Sequence, residues 1–130
     1  MPRPLVTVVL VGTVAVGMFA AGAITAAVRG WGSPLVSVAV RNDTSRELRQ
    51  VDLHYSTCGG ASTISVRALA PATTHTFTFL VCGEGGYALA AIDQNGKPLA
   101  SAQGYVESGY RINAYVEPAA IRSETATYRF

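Results

Sequence analysis

Residues 76–81 read Thr-Phe-Thr-Phe-Leu-Val, and this short stretch decides the fold. Phe77, Phe79 and Val81 recur at every second position, with Thr76, Thr78 and Leu80 between them. A period of two places one set on each face of an extended chain, so the stretch reads as a strand with one buried face. The same alternation recurs upstream. Val36, Val38 and Val40 face one way, with Ser37, Ala39 and Arg41 the other. Val51, Leu53 and Tyr55 alternate with Gln50, Asp52, His54 and Ser56, and Ile64 and Val66 begin a third strand that Ala70-Pro71-Ala72 closes.

Downstream, Tyr87 to Asp93, Leu99 to Glu107 and Tyr110 to Val116 read as strands five to seven, and Thr125 to Phe130 as a short edge strand. Turn chemistry separates them. Asn42-Asp43-Thr44-Ser45, Gly83-Glu84-Gly85-Gly86 and Ser108-Gly109 are turn formers, and Asn95-Gly96 is a hairpin signal. About seven short strands with no helical stripe among them predict an all-β, antiparallel sandwich over residues 35–130. It resembles an immunoglobulin-like sandwich in strand count alone. The Cys–Trp–Cys pattern of immunoglobulin domains is absent, because the sole tryptophan, Trp31, precedes the first strand.

Residues 5–28 break with this pattern. They contain 18 apolar residues, three Thr and three Gly, and no charge. As a helix the run is about 36 Å long, enough to cross a hydrocarbon core of about 30 Å. Arg3 and a small-residue stretch at Thr25-Ala26-Ala27 are also features of a cleaved signal peptide. Length favours the uncleaved anchor, because a signal peptide's apolar stretch is shorter. The expected organisation is a cytoplasmic flank at 1–4, a transmembrane signal anchor at 5–28, a linker at 29–34 and an extracytoplasmic domain at 35–130. The protein is then a single-pass protein of the cell membrane, with the lipid bilayer as one partner. Gly12, Gly17 and Gly22 are five apart and share no helix face, so pairing through this helix is not implied.

Charge narrows the partners further. The chain has 10 basic and 8 acidic residues. Arg3 and Arg29 flank the apolar run; without them the body holds eight of each sign, a net of zero with neutral histidine. A nucleic-acid reader needs a clustered basic face, so no nucleic-acid partner is expected.

Two cysteines give the sharpest structural expectation. With successive strands running up and down, Cys58 ends the second and Cys82 the fourth, so both reach one rim and a disulfide is predicted. The candidate interaction patch is Tyr105, Glu107, Tyr110, Arg111 and Tyr115, aromatic and charged residues around the turn at Ser108-Gly109. The competing reading has Tyr105 and Tyr110 capping the core with their hydroxyls wet.

No catalytic residue is assigned. Asp52, His54 and Ser56 lie on one strand face without a nucleophile elbow or oxyanion turn. Gly83-Glu84-Gly85-Gly86 leads into a strand, not the helix a phosphate loop requires. A metal site would have to recruit His54 and His75 with Cys58 or a carboxylate such as Asp52, and none is expected; no cofactor is expected either. Tyr128-Arg129-Phe130 resembles the ending of an outer-membrane barrel strand, but a barrel does not carry a 24-residue apolar helix. These readings point to a non-enzymatic interaction or accessory module with an unidentified protein partner. A small-ligand or metal-binding domain is the alternative.

Overall fold

The computed structural model describes residues 17–24 and 35–126. The chain divides into two units, Met1–Ser33 and Pro34–Phe130. In the first, residues 17–24 are helical, with Met18, Phe19 and Ile24 exposed. The span expected at 5–28 falls largely outside the described residues, and the flank at 1–4 and the linker at 29–34 fall wholly outside them. Among the described residues no helix is long and apolar enough to cross a membrane.

The second unit is all strand: β1 (Leu35–Asn42), β2 (Leu48–Thr57), β3 (Gly60–Leu69), β4 (Thr74–Leu80), β5 (Glu84–Ile92), β6 (Pro98–Glu107), β7 (Arg111–Val116) and β8 (Ile121–Ala126). They form two four-stranded sheets in the orders β4-β1-β7-β8 and β3-β2-β5-β6. Hairpins β2–β3, β5–β6 and β7–β8 stay within a sheet; the other connections cross between sheets. Edge strands β3 and β4 approach each other along one side of the sandwich, and β6 and β8 along the other.

Burial follows the period-two pattern. Val36, Val38 and Val40 of β1, Val51 and Leu53 of β2, Phe77 and Phe79 of β4, and Tyr87, Leu89 and Ala91 of β5 all face the core. Val106, Ile112, Ala114 and Val116 complete it from β6 and β7. Tyr55 and Phe79, from opposite sheets, stack with ring centroids 4.4 Å apart.

Three expectations are corrected. The pairs are not all antiparallel: β1 and β7 run parallel, in register from Ser37↔Arg111 to Asn42↔Val116. The crossings from sheet to sheet return β7 beside β1 in the same direction. Among the described residues the last strand is Ile121–Ala126, which begins four residues before the expected Thr125; a tight turn, with Glu117 N donating to Ala120 O at 2.9 Å, sends it back along β7. Residues 127–130 lie outside the described residues. Finally, Glu84, Gly85 and Gly86 are not a turn but the start of β5, paired with Glu107, Val106 and Tyr105. Only Gly83, at φ 81, turns the chain there.

The likeness to immunoglobulins stops at layering. Their constant domains keep the first two strands in one sheet, whereas β1 and β2 here belong to different sheets.

The one buried polar side chain among the described residues is Asn42, at the end of β1. Its Nδ2 donates to Arg46 O at 2.8 Å and Leu69 O at 2.9 Å, and its Oδ1 accepts from Thr44 N and Thr44 Oγ1. The expected turn at Asn42–Ser45 is thus tied by its first side chain to the end of β3.

Candidate functional site

The outer face of the β3-β2-β5-β6 sheet carries the candidate site. Its cross-strand rows follow from the register. His54 on β2 faces Ala88 on β5, which faces Gln103 on β6. Two residues along, Gly86 faces Tyr105, and beyond them Glu84 faces Glu107. Small residues on the middle strand between larger ones on its neighbours leave a shallow, open depression of about 550 Å³.

Tyr105 stands at its edge, half exposed at 51%. Its hydroxyl lies 2.8 Å from Glu107 Oε1 and 3.0 Å from Glu84 Oε2. The hydrogen bond to Glu107, then partial desolvation and the bond to Glu84, hold the phenol well above its ordinary pKa. The ring meets Tyr110 edge-on, with centroids 6.4 Å apart and planes at 85°. An exposed tyrosine anchored at both hydroxyl and ring edge is oriented before anything binds.

The five-residue patch is therefore divided. Tyr105, Glu107 and Tyr110 come together, and Glu84 joins them from β5. Tyr110 also packs against the core, as the capping reading had it, whereas Tyr105 does not. Arg111 begins β7 on the other sheet. Tyr115, four residues along β7, faces Arg122 on β8, whose guanidinium lies 4.3 Å from the ring centroid. Arg122 also pairs with Glu117 and Glu124. Glu84 was legible only as part of a turn; its pairing with Glu107 depends on how far the β5–β6 hairpin extends.

Cys58 and Cys82 meet at disulfide distance, with Cα atoms 5.1 Å apart, joining the β2–β3 turn to the β4–β5 connection. The bridge is on the surface and ties one sheet to the other.

The metal combination does not assemble. Cys58 is engaged with Cys82, Asp52 Oδ1 accepts from Gln50 and Ser65, and His54 Nδ1 lies 2.7 Å from Thr63 Oγ1. His75 is on the other sheet, edge-on to Phe77 at 4.8 Å. Among the described residues no group of three or more His, Cys, Asp or Glu could hold a metal ion. Ser56 is likewise occupied: its Oγ accepts from Gly86 N at 2.9 Å and donates to Gly86 O. Ser56, His54 and Asp52 thus each have a separate partner and do not form a relay.

No family model matches this chain, and no curated protein matches it. Among solved structures, it is similar to the NMR structure of a protein from Eubacterium rectale, at 16% identity and a TM-score of 0.48, covering 76% of this chain and 95% of that one.

Proposed function

We propose that this protein is a membrane-anchored, extracytoplasmic β-sandwich that acts by binding, without catalysis. The observation that carries the reading is the surface bridge between Cys58 and Cys82 in a chain that opens with a long uncharged apolar run. Exposed disulfides persist in oxidising compartments, and residues 5–28 are long enough to hold the chain at the bilayer that borders one. The body then stands outside the cytoplasm with the N-terminus inside, and Tyr105, Glu107 and Tyr110 are its binding surface. Arg111 and Tyr115 belong to the opposite sheet and fall outside that surface. The second reading, a small-ligand domain, is favoured by one observation, the depression beside Tyr105. Its metal-binding form loses support because Cys58 is already bonded.

Membrane fractionation of cells making the full chain, with protease added from outside, tests the placement. Expected is a carbonate-resistant membrane protein whose body is digested from the outside and whose cysteines are oxidised. A chain recovered soluble in the cytosol with both thiols reduced overturns it.

A further inference from the structure

We infer that the depression beside Tyr105 is a binding site for a neutral carbohydrate, with one sugar ring lying over Gly86 and Ala88. The inference rests on the binding-module reading and names its ligand class. β2 and β6 flank β5 at about 4.8 Å each, so the trough between their side chains is about 10 Å across. His54 stands on one side and Gln103 and Tyr105 on the other. A shallow, open trough of about 550 Å³ exposes one face of its occupant to water, which suits a ligand with hydroxyls on all sides.

Gly86 is the telling residue. Three glycines line up near this face, and the fold requires two of them. A Cβ on Gly85 would lie 2.7 Å from Ser56 Oγ, and one on Gly104 would lie 2.6 Å from the Tyr87 ring. A Cβ on Gly86 would meet nothing nearer than Gly104 O at 3.7 Å, and its φ is not left-handed. Neither packing nor backbone demands glycine there, and glycine weakens a strand. What it does is keep the trough open beside Tyr105.

The lining selects the ligand. Among the described residues no arginine or lysine lines the trough, and Glu84 and Glu107 stand at Tyr105, so anions are repelled. A wholly apolar ligand would desolvate Gln103 and His54 without matching them. A pyranose offers both halves: an apolar C–H face for the exposed ring of Tyr105, and hydroxyls for the surrounding acceptors and donors. With Nδ1 held by Thr63, His54 Nε2 is the nitrogen left to meet a hydroxyl.

Detergent-solubilised full-length protein is titrated calorimetrically with chitohexaose, cellohexaose, maltohexaose and anionic polygalacturonate. Expected is saturable binding of at least one neutral hexasaccharide, with polygalacturonate at least tenfold weaker. Gly86→Val, which fills the floor, and Tyr105→Ala each weaken binding at least tenfold, and Gln103→Ala at least threefold. Each variant must keep the wild-type melting profile and an oxidised cysteine pair. Gln103→Ala, a surface change, remains decisive if either of the others misfolds. Failure of all three neutral sugars to bind overturns the inference, as does wild-type affinity in Gly86→Val or, should that variant misfold, in Gln103→Ala. Loss of a co-purifying protein on Tyr105→Ala, with no sugar bound by the wild type, sinks the carbohydrate and leaves the binding-module reading standing.

Discussion

Asn42 is buried at the end of a strand whose other inward residues are valines, and it survives there because every polar atom of its amide is matched. Asn42→Ala takes the side-chain donor from Leu69 O and the side-chain acceptor from the Thr44 amide, while Arg46 O keeps Thr44 Oγ1, and should cost about 1–3 kcal/mol. Asn42→Asp should be no better, since a carboxylate offers no donor to either carbonyl. Urea denaturation of both variants checks this, and a loss below about half a kcal/mol would contradict the assigned role. The sequence marked Asn42 as a turn former. It did not mark it as buried, because the carbonyl of Leu69 that needs it is 27 residues away. Gly86 and Gly104 make a matched contrast at the same scale. Gly104→Ala forces a Cβ into the ring of Tyr87, which is 6% exposed and hemmed in by the core, and should destabilise by about 1–3 kcal/mol. Gly86→Ala makes only an ordinary contact, 3.7 Å from Gly104 O, and should be neutral or stabilising by about 0.4–1 kcal/mol. Tyr105 gives a pH signature. Its raised phenol pKa means that the folded state holds this proton more tightly than the unfolded chain does. The associated stability is therefore complete below the ordinary tyrosine pKa and lost as pH rises through the folded value. Ultraviolet titration should show a phenol ionising above the ordinary tyrosine range, and that component should vanish in Tyr105→Phe and move to lower pH in Glu107→Gln.

At the scale of elements, β4 and β1 were readable because each has one buried and one wetter face, which is what a period of two reports. β8 was not readable in place, for the opposite reason. It is an edge strand in which only Ile121 is even half-buried, so no alternation marks it. What holds it is pairing to β7 and contacts such as Arg122 over Tyr115, and these cross-strand neighbours exist only once the register is set. The parallel pairing of β1 with β7 was hidden likewise, since alternation says which residues face inward but not which strands are neighbours. The same ignorance of neighbours divided the candidate patch. Tyr110 and Tyr115 are close in sequence, yet one leans toward Tyr105 and the other toward Arg122. Arg122 is half exposed, so its pairs with Glu117 and Glu124 and its position over Tyr115 should contribute little. Arg122→Ala is expected to lower the denaturation midpoint only slightly, and less at high salt than at low salt. Denaturation at two ionic strengths reads both effects. A larger, salt-independent loss would mean that β8 docks through packing at this residue.

For the molecule as a whole, the Cys58–Cys82 bridge has a particular position. The β2–β3 turn belongs to one sheet, and the β4–β5 connection leaves the other, so the bridge fastens the two layers at one rim. Its prediction from sequence needed only the alternating direction of successive strands, a property of the whole topology that hairpin and crossing connections preserve alike. The bridge encloses about 25 residues, including all of β3 and β4. Constraining a loop of that length in the unfolded chain should stabilise the fold by roughly 3–4 kcal/mol in the chain-entropy model. Both cysteines are exposed, so removing the bond leaves no cavity in the core. The paired substitution Cys58→Ser with Cys82→Ser should therefore lower the denaturation midpoint while preserving the strand signal in far-ultraviolet circular dichroism. The slope of free energy against denaturant should rise, because an uncrosslinked unfolded chain exposes more surface. Treating the wild type with reductant should reproduce the midpoint of the double variant. If reductant leaves the wild type unchanged while the thiols titrate as free, the two layers are held by their shared core alone, and the bridge loses its place in the account of where this protein works.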